Sequence, residues 1–220
     1  MWRKIELFFL ILATAGLIML GKNLSQLTGS ENISPEKKVI VLDAGHGGSD
    51  PGKVGINQAL EKEINLQIAE KLKVNLEKRG IEVIMTREDD NLQKSKTDDM
   101  KERVGIINDV VPEFAVSIHQ NSYLDSSVSG AQVFYYTGSK EGEEIAKKIQ
   151  ESLWEIEGNK KREVKGNDSY YLLKYASVPM VIIECGFLSN PEEANRLVTE
   201  RYQEEISNAI GKGIESCFGN

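Results

Sequence analysis

Val39-Ile40-Val41-Leu42 runs without a polar break into Asp43-Ala44-Gly45-His46-Gly47-Gly48, and the fold turns on this junction. A continuous β-branched and aliphatic run has no polar face, so it predicts a strand covered on both sides, a central strand of a parallel sheet. The glycines that follow demand a loop. Over residues 60–76, Leu60, Ile64, Ile68, Leu72 and Leu76 recur at helical spacing with Glu and Lys on the opposite face, and Gly80 is available past the end. That pattern predicts an amphipathic helix with a glycine cap. Ile81-Glu82-Val83-Ile84-Met85 reads as the next strand and completes a βαβ unit, expected to be right-handed.

The alternation continues. After a polar loop over 88–99, Met100, Val104 and Ile107 mark a helix face, while 114–118 and 131–136 read as strands. A helix is expected over about 142–157, then a Gly/Lys/Asn-rich loop over 158–167, a strand at Met180-Val181-Ile182-Ile183 and a last helix over about 202–217. No internal repeat interrupts this. The expected fold is an α/β three-layer sandwich, a mostly parallel twisted sheet flanked by helices.

The 220 residues are 40% hydrophobic and 28% charged, which disfavours disorder, collagen-like repeats and a multi-span membrane protein. Net charge is −7; residues 1–22 hold three cations and one anion, so the remainder stands at −9. Nucleic-acid binding is therefore not expected, because phosphate contacts need a clustered basic surface. Cys185 and Cys217 fit neither a metal-binding pair nor a disulfide framework and read as unpaired thiols.

Arg3 and Lys4 precede an apolar stretch over 7–20, the layout of a secretory signal. The stretch is short for a spanning helix, and no small-x-small pair directly follows it. Residues 1–22 therefore read as an uncleaved signal anchor or a removed signal peptide, and either way the remainder is exported to the extracytoplasmic side. Residues 23–37 read as a flexible linker and 38–220 as one catalytic domain.

The only two histidines, His46 and His119, each follow an apolar strand, and Glu184 ends a third such run. In open α/β sheets ligands bind outside the carboxyl ends of the strands, so two imidazoles and a carboxylate are aimed at one crevice. Hydrolytic zinc takes such a set and keeps one position open to water. The carboxylate ligand is Glu184 itself or another acid near the crevice. Glu61, at the start of the first helix, is the best candidate, and its choice would leave Glu184 free as a base. Either histidine alone is more often a structural hydrogen-bonder, and Glu61 could simply complement the helix dipole. Asp43 is a candidate hydrogen-bond partner for a ligand imidazole, and Asn121 a candidate for facing substrate. DAGHGG lacks the pattern of nucleotide-binding loops, and no HExxH of the zinc peptidases is present.

In order, DAGHGGSDPG (43–52), LEKEINL (60–66), TREDD (86–90), ERVGIIN (102–108), SIHQNS (117–122) and PMVIIECGFLSNPEE (179–193) resemble the zinc-dependent N-acetylmuramoyl-L-alanine amidase family, over nearly the whole of 38–217. The domain is most similar to the sporulation-type members of Gram-positive endospore formers. The resemblance implies Zn2+ held by His46, Glu61 and His119, with Glu184 as the catalytic glutamate; Glu63 is the competing register for Glu61. It implies cleavage of the amide between the lactyl group of N-acetylmuramic acid and L-alanine in peptidoglycan. The setting it implies is the muramic-δ-lactam pathway of spore cortex and germination, alongside a peptidoglycan deacetylase and an activating lipoprotein. Cys185 stands where the family more often has Leu, a change expected to matter little. The alternative is a catalytically silent peptidoglycan-binding domain of the same fold.

Overall fold

The computed structural model describes residues 38–91 and 94–219. The expected signal segment and linker over 1–37 lie outside the described residues, and among the latter no helix is long and apolar enough to cross a membrane. Strands β1 (Val39–Ala44), β2 (Glu82–Met85), β3 (Phe114–Asn121), β4 (Gln132–Tyr136), β5 (Lys165–Asn167) and β6 (Met180–Phe187) form one sheet in the order β2-β1-β3-β6-β4-β5. All neighbouring pairs are parallel except β4 with β6. The helices are α1 (Glu61–Lys78), α2 (Lys96–Val110), α3 (Lys140–Leu153), α4 (Tyr171–Tyr175), α5 (Pro191–Leu197) and α6 (Glu200–Cys217).

The period-two alternation of a strand sorts its side chains onto two faces. Ile40, Leu42, Val116, Ile118, Val181 and Ile183 join one core with residues of α1, α3 and α6. Val41, Ala115, Met180 and Ile182 join a second, smaller core with residues of α2 and α4. Hence the central strands carry unbroken apolar runs: both faces are covered. Burying each such aliphatic side chain contributes about 1.5–3 kcal/mol, and β6 is buried along its whole length. The smaller second core leaves room on its face for polar groups near the carboxyl ends of β1, β3 and β6.

The long elements stand where periodicity put them. Three short ones were not expected: β5 within the loop over 158–167, and helices α4 and α5. Each is too short to display a period. The start of α5 nonetheless had a local signal, since Pro191 opens it and the Asn190 side chain accepts from the backbone N–H of Glu192 and Glu193. Helix α3 ends at Leu153, short of the expected 157. Both cysteines are free, as expected.

Candidate metal centre

Residues 45–60 form the loop from β1 to α1, and its path is set by tight approaches. Gly45 passes under the His119 ring so closely that a Cβ there would lie 2.3 Å from its Cε1 and Nε2. His46 itself adopts φ +62°, a left-handed conformation uncommon outside glycine. Two buried arginines hold this backbone. Arg103 of α2 donates to the His46 carbonyl at 2.8 Å, ion-pairs with Asp99 and lies 3.5 Å from Asp43. Arg87, just past β2, donates to the carbonyls of Ala44, Gly45 and Lys62. The loop carbonyls thus find charged donors, which are stronger than neutral ones.

Three predicted groups converge. Glu61 Oε1 lies 3.2 Å from His46 Nε2 and 2.9 Å from His119 Nδ1, and the three ligand atoms lie within 4.8 Å of one another. Glu61 is 3% exposed, whereas Glu63, the competing register, faces solvent. Backbone N–H groups of Lys53 and Gln120 donate to the Glu61 carboxylate at 2.7 and 3.0 Å. Burial alone would raise its pKa, but the two imidazoles outweigh this and hold the carboxyl well below its ordinary range. Burial likewise opposes charging of His46, yet Glu61 and Asp50 keep its pKa above the ordinary value.

His46 Nδ1 is 3.0 Å from Asp50 Oδ2, so Asp50 orients that ring and leaves Nε2 for the centre. Asp43, the partner anticipated for a ligand imidazole, does not fill that role. Its carboxylate accepts from the hydroxyls of Thr86 and Ser117 and faces Arg103. The reason is position: Asp43 is still within β1, fully buried, while the imidazole of His46 lies beyond the turn. Burial would raise the Asp43 pKa, but Arg103, Ser117 and Thr86 lower it on balance.

Glu184 lies inside β6 rather than at its end, directly opposite His119 in the parallel pairing of β3 with β6. It is 7% exposed, and its Oε2 has no hydrogen-bond partner. Burial is the main reason its pKa is raised to about 7. The Tyr170 phenol sits beside this carboxyl, and burial together with Glu184 raises the phenol to about 12. Arg87, Arg103 and Tyr170 were not singled out by role in the sequence. The arginines stand in the TREDD and ERVGIIN runs, but nothing local says that they reach the histidine loop.

An unpaired buried carboxylate oxygen is costly unless it has a task. Two imidazole nitrogens and a carboxylate oxygen within ligand reach form a donor set suited to zinc. The residues therefore fit a zinc ion, with Glu184 outside the donor set.

Residues 40–216 match the profile of the N-acetylmuramoyl-L-alanine amidase family. The germination-specific N-acetylmuramoyl-L-alanine amidase of Bacillus subtilis is 40% identical over 190 residues, covering 82% of this chain and 80% of that protein. Among solved structures, the CwlD amidase of Clostridioides difficile, in complex with the GerS lipoprotein, is 41% identical with a TM-score of 0.79, covering 83% of this chain and 98% of that one. The amidase AmiC2 of Nostoc punctiforme is 31% identical with a TM-score of 0.73, covering 80% and 94%. With the match spanning both histidines and both glutamates, the chain belongs to the N-acetylmuramoyl-L-alanine amidase family.

Proposed function

We propose that this chain is a zinc amidase that hydrolyses the bond between the lactyl group of N-acetylmuramic acid and L-alanine in peptidoglycan. The observation that carries the reading is the convergence of His46, Glu61 and His119 beside a buried Glu184 with an unpartnered oxygen. His46 Nε2, Glu61 Oε1 and His119 Nδ1 would hold the ion. When bound, zinc supplies Lewis acidity toward the scissile carbonyl and toward water.

The chain's own groups do the rest. Asp50 keeps the His46 ring oriented, and the backbone donors of Lys53 and Gln120 hold the Glu61 carboxylate in place. Glu184 takes a proton from the attacking water and returns it to the alanine nitrogen as the C–N bond breaks. A positioned acid and base contributes roughly 10²–10⁴ in rate. Tyr170 sits beside the Glu184 carboxyl and lines the cleft of His46 and His119.

The name of the B. subtilis relative supports a setting in germination and the C. difficile complex a lipoprotein partner; action on spore cortex and activation by such a lipoprotein are proposed on that basis. A deacetylase completes the lactam chemistry in that setting. The apolar stretch over 7–20 supports export to the extracytoplasmic side, as anchor or as cleaved signal. A silent wall-binding domain is the weaker reading, because such a domain has no need of all four site groups.

The test is incubation of the purified chain, zinc-loaded and apo, with defined muropeptides, followed by mass analysis for free stem peptide and intact glycan. Glu184→Gln should keep zinc and lose about 10²–10⁴ in turnover, whereas His46→Ala and His119→Ala should lose zinc. Equal zinc loss in all three variants would overturn the assignment of roles.

A further inference from the structure

Beside the metal centre lies a second cavity of about 540 Å³ whose charge the amide chemistry does not use. Lys160, Arg162 and Lys165, from the strand and turn before α4, line it without any carboxylate among the lining residues. Among the described residues Lys160 and Lys165 have no ion-pair partner, while the buried Glu193 carboxylate attracts Arg162 from behind the cavity wall. On a chain of net charge −7, three cations gathered in one concavity repel each other and attract an anion.

The cavity adjoins the site. Tyr170 lines both it and the cleft of His46 and His119. Gln132, on its wall, is the cross-strand partner of Glu184, and Asn121 lies two residues beyond His119 on β3.

Arg162 is also held in place. The Arg162 guanidinium donates to Gln132 Oε1 at 3.2 Å and to the Ser129 carbonyl at 3.0 Å, and stacks 5.2 Å above the Phe187 ring. The Gln132 amide donates in turn to the Glu163 carbonyl, and Trp154 Nε1 to the Arg162 carbonyl. Gly130, at φ +102°, lets the chains cross so closely that a Cβ there would lie 2.5 Å from the Lys160 carbonyl. A charge fixed in advance, as on Arg162, loses less freedom when a ligand arrives.

We propose that this cavity is a subsite for the carboxylates of the stem peptide, so that an acidic peptide runs from the scissile amide toward the β4–β5 edge. The assignment rests on the amidase reading. Charge complementarity selects the peptide side, because N-acetylated glycan offers no anion there. The glycan then lies on the other side of the metal centre, toward Asp50 and Lys96, which pair with each other at 3.1 Å.

The test compares kcat/KM for N-acetylmuramoyl-L-alanyl-D-glutamate with that for its uncharged diamide, using the zinc-loaded full chain. Wild type should prefer the diacid roughly tenfold, and KM for the diacid alone should rise with salt. Lys160→Gln/Lys165→Gln should bring the ratio close to one. Lys161→Gln, which removes one charge from the same stretch but outside the cavity, should keep it. In parallel, NMR titration of the metal-free full chain with L-alanyl-D-glutamate should shift cavity resonances, and the double variant should abolish the shifts. Equal kcat/KM for both substrates, or a ratio untouched by the double variant, would refute the subsite while leaving the amidase standing. Absent turnover of either substrate with intact, lysine-dependent peptide binding would remove the amidase reading and keep the anion site.

Discussion

Gly45→Ala isolates the contact on which the metal centre depends. The backbone at Gly45 is not in the left-handed region, so alanine strains nothing locally; the whole effect passes through the His119 ring. The new methyl would lie 2.3 Å from Cε1 and Nε2 and 2.7 Å from Cδ2, against the 3.4 Å at which ordinary contact begins. Either the ring or the loop must therefore retreat by about 1.1 Å, whereas ligand distances at a metal tolerate about 0.2 Å. Moving His119 also breaks its 2.9 Å approach to Glu61. Zinc affinity should fall by about 10–100-fold, the range seen when groups that orient a ligand are disturbed. The assay is competition with a chromophoric chelator, with circular dichroism verifying the fold. A folded Gly45→Ala chain binding zinc within about threefold of wild type would show that the reasoning about His119 is wrong.

Asp50→Asn keeps a hydrogen-bonding group near His46 Nδ1 but removes a carboxylate whose pKa is lowered to about 2, against burial, chiefly by His46 and the Gly52 N–H. Its zinc affinity should drop by about tenfold in the same chelator competition; no change would mean that Asp50 does not orient the ring. Asp43→Asn should lower stability at pH 7 by about 1–3 kcal/mol, because Arg103 loses one of its two buried carboxylate partners while Asp99 remains. Since the folded-state pKa of Asp43 lies below its unfolded value, its contribution is present above the unfolded pKa and lost as pH falls through the folded one. Urea unfolding at pH 7 and pH 3.5 should accordingly show a smaller acid-induced loss in the variant, and an identical loss would contradict the assignment. Gly105→Ala lies mid-helix in α2, where an added methyl meets nothing within 4 Å. It should stabilise the chain by about 0.5–1 kcal/mol, read as a raised midpoint in urea.

What was legible in the sequence is whatever a local pattern can encode. The run at Val39–Leu42 announced a central strand and that at Met180–Ile183 a further strand, because burial on both faces leaves no room for alternation. Leu60 to Leu76 announced α1 because one apolar stripe recurs every three to four residues. With His46, His119 and Glu184 at or near the carboxyl ends of β1, β3 and β6, the position of the crevice followed from topology, and Glu61 from its place at the first turn of α1.

Tertiary structure alone decided the support of the site. Asp50, rather than Asp43, holds the imidazole, because which carboxylate faces His46 depends on the +62° turn of the loop, a torsion with no sequence period. Arg103 reaches the His46 carbonyl from 57 residues away, and Arg162 is fixed by Ser129 and Gln132 across two crossing chains. Contacts between distant segments arise only when the sheet brings strand ends together, and a linear pattern carries no record of which side chains then meet.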